Sequence, residues 1–370
     1  MKRYNRISSG SLCIIPKKAI AWIMLLMAVL TILFFISIEV RKILSLGSLT
    51  REKILKQNHG TFSTSNSEFS SSQYTSSEIS AETEKGVIRS FNSVVALELF
   101  EEQPHCATKP FLLVLVASAP ENFERRDAIR KAWVYSLTNK EWTSELKTKI
   151  LFLVGFSPSK FLNILLKNEN EQSGDILLGE YLDTYRNLTT KVKHGLTWAL
   201  HHCQPTYLLK TDDDCFVNLP LLIDFLWKYN PVRKNLYAGR VRWYVPVIRD
   251  PNSRWYVSSI EYRRPRYAPY VNGAGYIFSL DVLKKFVAAA DTVLPFPNED
   301  AYVGTVLNVA GVRPTYSARF VTHAGPWQMC NFLYLFVVHH VKATRQWEFQ
   351  EMAKRAMEEC SSTDMAKDWV

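Results

Sequence analysis

Acidic residues are missing from the first 38 positions of this 370-residue chain, while Lys2, Arg3, Arg6, Lys17 and Lys18 fall within them. Charge of either sign is missing from Ala19 to Ile38, AIAWIMLLMAVLTILFFISI. That is about the length needed to cross a hydrocarbon layer of roughly 30 Å as a helix. Beyond it Arg41 and Lys42 are mixed with Glu39, so the basic bias puts the N-terminus in the cytosol. The expectation is a cytoplasmic tail (1–18) and a signal-anchor helix (19–38). A cleaved signal peptide is the competing reading, but its apolar core usually has about 7 to 15 residues and a small-residue cleavage site after it. No such site follows here.

Other absences narrow the classes. No CxxC pair occurs, which argues against a structural zinc site, and no internal repeat suggests a solenoid or propeller. The body of the chain also lacks net charge. Residues 1 to 60 hold ten Lys/Arg against Glu39 and Glu52, which leaves only two of the formal +10 for the remainder. No nucleic-acid partner is therefore expected. Sequons are scarce as well: Asn187-Leu188-Thr189 is the sole candidate for N-glycosylation.

Residues 61–80, TFSTSNSEFSSSQYTSSEIS, contain twelve Ser/Thr, too polar to bury a core and suited to O-glycans. They read as part of a disordered lumenal stem (39–106). Of the six cysteines, Cys106, Cys203, Cys215, Cys330 and Cys360 lie past the anchor, where disulfides can form. Five is odd, so one stays free or pairs with another chain, and the pairing is open.

From Pro110 the texture is globular. FLLVLVAS (111–118) and ILFLVGF (150–156) are apolar runs typical of buried, mostly parallel strands. Between them ERRDAIRKAWVYSL has apolar residues at 128, 129, 132, 133 and 137, a helical spacing. Further helices are marked by Val192, Leu196, Ala199, Leu200 and Cys203; by Val282, Leu283, Phe286, Val287 and Ala290; and by Tyr302, Val303, Val306, Leu307 and Ala310, stopped by Gly311. Tyr207–Lys210 reads as a strand. Alternating strands and helices predict a single α/β domain over 107–370.

KTDDDCFVNLP sets Asp212, Asp213 and Asp214 at the end of that strand, where ligands gather in α/β sheets. Three packed carboxylates suggest a hard divalent cation bridging to a phosphate; a solvated acidic turn is the plainer alternative. FPNEDAYVG places Glu299 and Asp300 at a helix start, where the macrodipole favours acids and would keep an Asp ionised as a general base. Asn298 is the candidate N-cap.

KTDDDCFVN, EDAYVG, RDAIRKAW, DTYRNLTTK and YVNGAGYIFS together resemble the β-1,3-glycosyltransferases of glycosyltransferase family 31, in particular their β-1,3-galactosyltransferase-like branch. The resemblance spans roughly Phe111 to Gln350 and implies a GT-A fold, a UDP-sugar donor, a manganese ion and inversion at the sugar carbon. It implies Asp214 and His339 as metal ligands, with His340 and His323 as rivals to His339. Asp212, Asp213, Lys210, Arg126, Arg130, Trp133, Gly273, Gly275 and Tyr276 would bind the donor, with glycine letting the backbone approach the sugar. Asp300 would be the base that deprotonates the acceptor 3-hydroxyl, and Glu299 would orient the acceptor.

GAGYIFS and EDxYVG are closer to the galactosyl branch, which favours UDP-galactose; UDP-N-acetylglucosamine or UDP-N-acetylgalactosamine are the alternatives. By the same resemblance the protein would be a type II Golgi membrane protein acting on a glycan of a protein or lipid, as a homodimer or with other Golgi transferases. Ala132, Cys215, Ala268 and Ala301 depart from the family pattern and leave specificity open. An inactive glycan-binding relative, or an anchored module holding structural calcium, stands as an alternative.

Overall fold

The computed structural model describes residues 103–138, 146–361 and 366–369. The expected tail, anchor and all but the last few stem residues lie outside these. Among the described residues no helix is long and apolar enough to cross a membrane.

The strands in chain order are β1 (Leu112–Ala117), β2 (Thr148–Phe156), β3 (Ile176–Leu182), β4 (Tyr207–Asp212), β5 (Cys215–Val217), β6 (Tyr237–Arg242), β7 (Tyr270–Ser279), β8 (Thr315–Tyr316), β9 (Phe320–Val321) and β10 (Val337–His339). Seven of them form one sheet in the order β3-β2-β1-β4-β7-β6-β8. Its first four strands are parallel, and β7 runs antiparallel to both β4 and β6. The expectation of mostly parallel strands therefore holds for one half of a mixed sheet. A smaller sheet, β5-β10-β9, stands beside it.

The apolar run in β1 is continuous because both faces of the sheet are covered. Leu112, Val114 and Val116 pack with Trp133, Phe152 and Phe225 on one face. Leu113 and Leu115 pack with Val192, Leu196 and Phe286 on the other. The helices Leu188–His202, Leu280–Ala289 and Glu299–Val309 follow the expected periodicities, and Gly311 adopts φ 73° just past the last of these. The helix Phe123–Ile129 passes into a π-helical stretch, Arg130–Val134, before a final turn. The helices Lys160–Ser173, Leu219–Tyr229 and Gln346–Glu359 were not read from the sequence.

β4 runs three residues past Leu209, its last apolar side chain, to Asp212. Lys210 and Thr211 are fully buried, and Thr211 Oγ1 donates to the Ala274 carbonyl at 2.7 Å, so polar partners extend the strand where hydrophobicity stops. The cysteine pairing is now defined. Cys106 joins Cys203 and Cys330 joins Cys360, leaving Cys215 free and buried. The first bridge closes a 97-residue separation, which removes conformational freedom from the unfolded chain.

Candidate active site

In the chain order above, the sheet grows from β1 in opposite directions, through β2 on one side and β4 on the other. The crevice at the carboxyl ends of such a pair is where open α/β sheets bind ligands. The acidic triplet turns there, and each of its carboxylates meets a different partner.

Asp213 is buried inward. Its Oδ2 accepts from Ser118 Oγ at 2.7 Å and Asn122 Nδ2 at 2.8 Å, and its Oδ1 from Arg125 at 2.9 Å. It anchors the turn to the loop after β1 rather than facing a donor, which corrects its expected role. Ser118, Asn122 and Arg125 were missed, although Asn122 and Arg125 sit just ahead of the quoted RDAIRKAW element.

Asp212 accepts from Lys210 Nζ at 2.8 Å and keeps part of its carboxylate exposed, consistent with a donor contact. Lys210 itself has no exposed surface. Its ammonium also donates to the Gly273 carbonyl at 2.8 Å and Glu299 Oε2 at 3.2 Å. Burial would lower its pKa, but Asp212 and Glu299 outweigh it and hold the amine protonated. Lys210 is thus an internal cation, not a donor ligand.

Asp214 lies on the open side with two imidazoles. His339 Nε2 is 3.2 Å from its Oδ1 and His340 Nδ1 is 3.6 Å from its Oδ2. β10 places His339 opposite Cys215 in the antiparallel register, and His340 takes φ 63°, which bends the chain there. Burial alone would raise the Asp214 pKa, but His339, Arg125 and His340 lower it. Asp214, His339 and His340 offer ligand atoms within 4.8 Å of one another. One carboxylate and two imidazoles are a donor set that divalent transition metals accept. The group that could hold a cation thus contains the expected Asp214 and His339 together with the rival His340. His323 instead packs its ring on Trp327 and is not part of this group.

Glu299 and Asp300 begin the helix Glu299–Val309. Glu299 is buried, accepting from Tyr276 Oη at 2.5 Å as well as from Lys210. Burial pushes its carboxyl up to about 7 against the opposing pull of Lys210. It cannot orient an acceptor from that position; it balances Lys210 beneath Asp300. Asp300 is half-buried; its Oδ2 accepts from the Gly273 amide at 3.0 Å and its Oδ1 from the Ala301 amide at 2.8 Å. Burial raises its pKa more than those amides lower it, so here the helix start does not dominate. Asn298 occupies the cap position without a capping hydrogen bond; its Nδ2 donates to Tyr267 Oη at 3.1 Å.

Gly273 makes room for the protein's own acids, since a Cβ there would lie 3.2 Å from Glu299 Oε2 and 3.4 Å from Asp300 Cβ. Gly275 abuts Val337 and Phe320 instead, and Tyr276 is fully buried. All three pack against the protein's own residues.

Arg126, Arg130 and Trp133 also turn out to support the site from below. Arg126 has no exposed surface and spends its donors on Glu169 at 2.6 and 2.8 Å, Ser118, and the carbonyls of Ala119 and Pro120. Arg130 forks onto Asp175 with two 2.7 Å bonds and also pairs with Glu169. Trp133 is core, and its Nε1 donates to Gln346 Oε1 at 3.1 Å, whose Nε2 donates to the Cys215 carbonyl at 2.8 Å. That relay fixes the backbone next to Asp214. The DTYRNLTTK element holds another pair the sequence did not reveal. Lys191 Nζ contacts both Asp183 oxygens and the Ser118 carbonyl, all at 2.7 Å. Asn187 starts the helix Leu188–His202 and donates to the Leu182 carbonyl at 2.9 Å.

Residues 124–317 match the family model described as Galactosyltransferase. A β-1,3-galactosyltransferase 4 of Canis lupus familiaris is 33% identical over 286 residues, covering 66% of this chain and 73% of that one. A β-1,3-galactosyltransferase 5 of Pan troglodytes is 31% identical over 284 residues, covering 70% and 92%. Among solved structures, a galactosyltransferase LgtC in complex with donor and acceptor sugar analogs aligns at 12% identity and a TM-score of 0.35, over 66% of this chain and 95% of that one. The sequence matches define a galactosyl-transferring glycosyltransferase. The chain belongs to the galactosyltransferase family.

Proposed function

We propose that the chain is an inverting β-1,3-galactosyltransferase of GT-A type. It would take galactose from UDP-galactose and pass it to the 3-hydroxyl of an acceptor sugar on a glycoprotein or glycolipid. The observation that carries this reading is Lys210: one buried ammonium links Asp212 of the acidic turn to Glu299, the neighbour of Asp300. The candidate donor edge and the candidate base are thereby fixed to each other through a shared rigid cation.

Asp300 is the base. Its carboxylate is held by two backbone amides, and its raised pKa brings it nearer the working pH, where a base is most effective. As the acceptor oxygen bonds to the anomeric carbon, its proton passes to Asp300. The carbon–oxygen bond to UDP breaks on the opposite face, with its electron pair leaving on the diphosphate. Asp214, His339 and His340 fit a divalent cation, Mn2+ in this proposal, which when bound supplies charge neutralisation for the diphosphate. Asp212 offers its exposed carboxylate edge to the donor.

The same reading places the protein in the Golgi membrane as a single-pass type II protein, anchored by 19–38 and carried on the 39–106 stem. Support comes from the two disulfides, which suit an oxidising lumen, and Asn187 is the proposed glycan acceptor.

The test is UDP release from a panel of UDP-sugars with Mn2+, with and without β-linked GlcNAc, GalNAc and Gal acceptors. Acceptor-dependent release confined to UDP-galactose is expected. Release confined to another UDP-sugar removes the donor assignment, and no release with any donor removes the enzyme reading.

A further inference from the structure

The chain between β6 and β7 forms a built platform. Arg249 donates to the carbonyls of Val257, Tyr262 and Arg264 at 2.7, 2.5 and 3.0 Å. The ends are laced by Val247 N to Pro265 O at 2.9 Å and Tyr267 N to Val245 O at 3.0 Å. Residues 243–269 carry Arg249, Arg254, Arg263, Arg264 and Arg266 against only Asp250 and Glu261, and Glu261 is already paired with Arg186 at 3.1 Å. The platform is therefore a basic surface on a nearly neutral body.

Arg254 stands apart from the inward-tied Arg249. Among the described residues it has no carboxylate partner. Its guanidinium lies exposed over Tyr185, 4.6 Å from the ring centroid, and 5.5 Å from that of Trp255. Both rings are partly open to solvent, Trp255 at 50% and Tyr185 at 37%.

Two hydrogen bonds tie the elements around this group to the segment before the candidate base. Thr189 Oγ1, on the helix that follows Tyr185, donates to the Phe296 carbonyl at 2.6 Å. Asn298 Nδ2 donates to Tyr267 Oη of the platform at 3.1 Å. The helix that follows Tyr185 and the platform are thus both tied to the segment that runs directly into Glu299 and Asp300. Burial raises the Tyr185 hydroxyl pKa; Arg254 pulls against it, and Asp300 adds a smaller upward push.

An exposed aromatic face can cover the apolar face of a pyranose ring. A guanidinium without an acid partner binds a carboxylate or sulfate through paired hydrogen bonds. We propose that Arg254, with Tyr185 and Trp255, is the acceptor subsite and selects an acidic glycan, one bearing a carboxylate or sulfate near the sugar whose 3-hydroxyl faces Asp300. This rests on the proposed function and adds the class of acceptor to it.

Binding, read apart from turnover, tests it. Titration calorimetry of the detergent-solubilised full chain, with UDP and Mn2+ present, compares a neutral oligosaccharide, its uronic-acid analogue and its sulfate ester. At least one anionic ligand binds about tenfold tighter than the neutral one, the size of one charge-assisted hydrogen bond. The better anion identifies the source of the charge. Arg254→Gln abolishes the preference with an unchanged Tm, Arg254→Lys restores part of it, and Arg263→Gln keeps it. Equal binding of all three ligands, no binding of any, a preference retained in Arg254→Gln, or one lost equally in Arg263→Gln overturns the inference. Failure of galactose transfer would sink the proposed function while leaving this binding comparison to decide the subsite.

Discussion

Replacing Lys210 by Met removes the cation at the centre of the site without emptying its volume. In the native fold the ammonium has no exposed surface and serves two carboxylates and a carbonyl. Breaking a buried ion pair from one side costs about 3–5 kcal/mol. At about 2–4 °C per kcal/mol for a domain of this size, Tm falls by roughly 6 to 20 °C. A proton can take over part of the role of the lost cation. The Glu299 carboxyl already sits at about 7 with Lys210 present, and without it the value rises further. A group whose folded pKa is raised stabilises the fold below its unfolded pKa, and that contribution is lost as pH rises through the folded value. In the native protein the loss is complete just above pH 7; in the variant it continues to higher pH. The deficit against the native protein is therefore smaller at pH 6 than at pH 8.5. Thermal unfolding at both values measures it, and Lys210→Met/Glu299→Gln, which removes both charges, recovers part of the loss. A shift below about 2 °C, or a deficit independent of pH, would refute the reasoning.

Two further outcomes are expected at the open edge of the site. Asp300→Asn lowers turnover by about 10² to 10⁴ while leaving cation-dependent UDP binding intact, as measured by calorimetry; near-normal turnover would remove Asp300 as the base. Asp214→Ala, His339→Ala and His340→Ala each weaken the Mn2+-dependent part of UDP binding, and His323→Ala does not. An unaffected His340→Ala would reduce the trio to the pair expected from the sequence.

Several elements were legible for physical reasons. β1 and β2 announce themselves because strands covered on both faces need unbroken apolar runs, and Gly311 marks a helix end because it adopts the left-handed conformation that ends helices. The acidic turn was legible as a site because like charges at a strand end need partners. The partners themselves were not. Lys210 reaches Gly273 and Glu299 across separations of 63 and 89 residues, and Asp213 reaches Ser118, Asn122 and Arg125 across 95, 91 and 88. Trp133 reads equally well as core or site on a helical pattern, and only the fold shows its indole turned inward onto Gln346.

By itself the sequence determined the class of fold, the family pattern, the acidic turn and the pair Glu299–Asp300. All of these rest on local order: periodicity, composition and motif spacing along the chain. Only the tertiary structure decided which charged groups face the crevice and which support it from below. It turned Asp213, Lys210, Arg126 and Glu299 inward, left Asp214, His339, His340 and Asp300 at the open edge, and chose Cys215 as the unpaired thiol. A buried charge is tolerated only where a partner meets it at hydrogen-bond distance, and those partners come from strands and helices that only folding brings together.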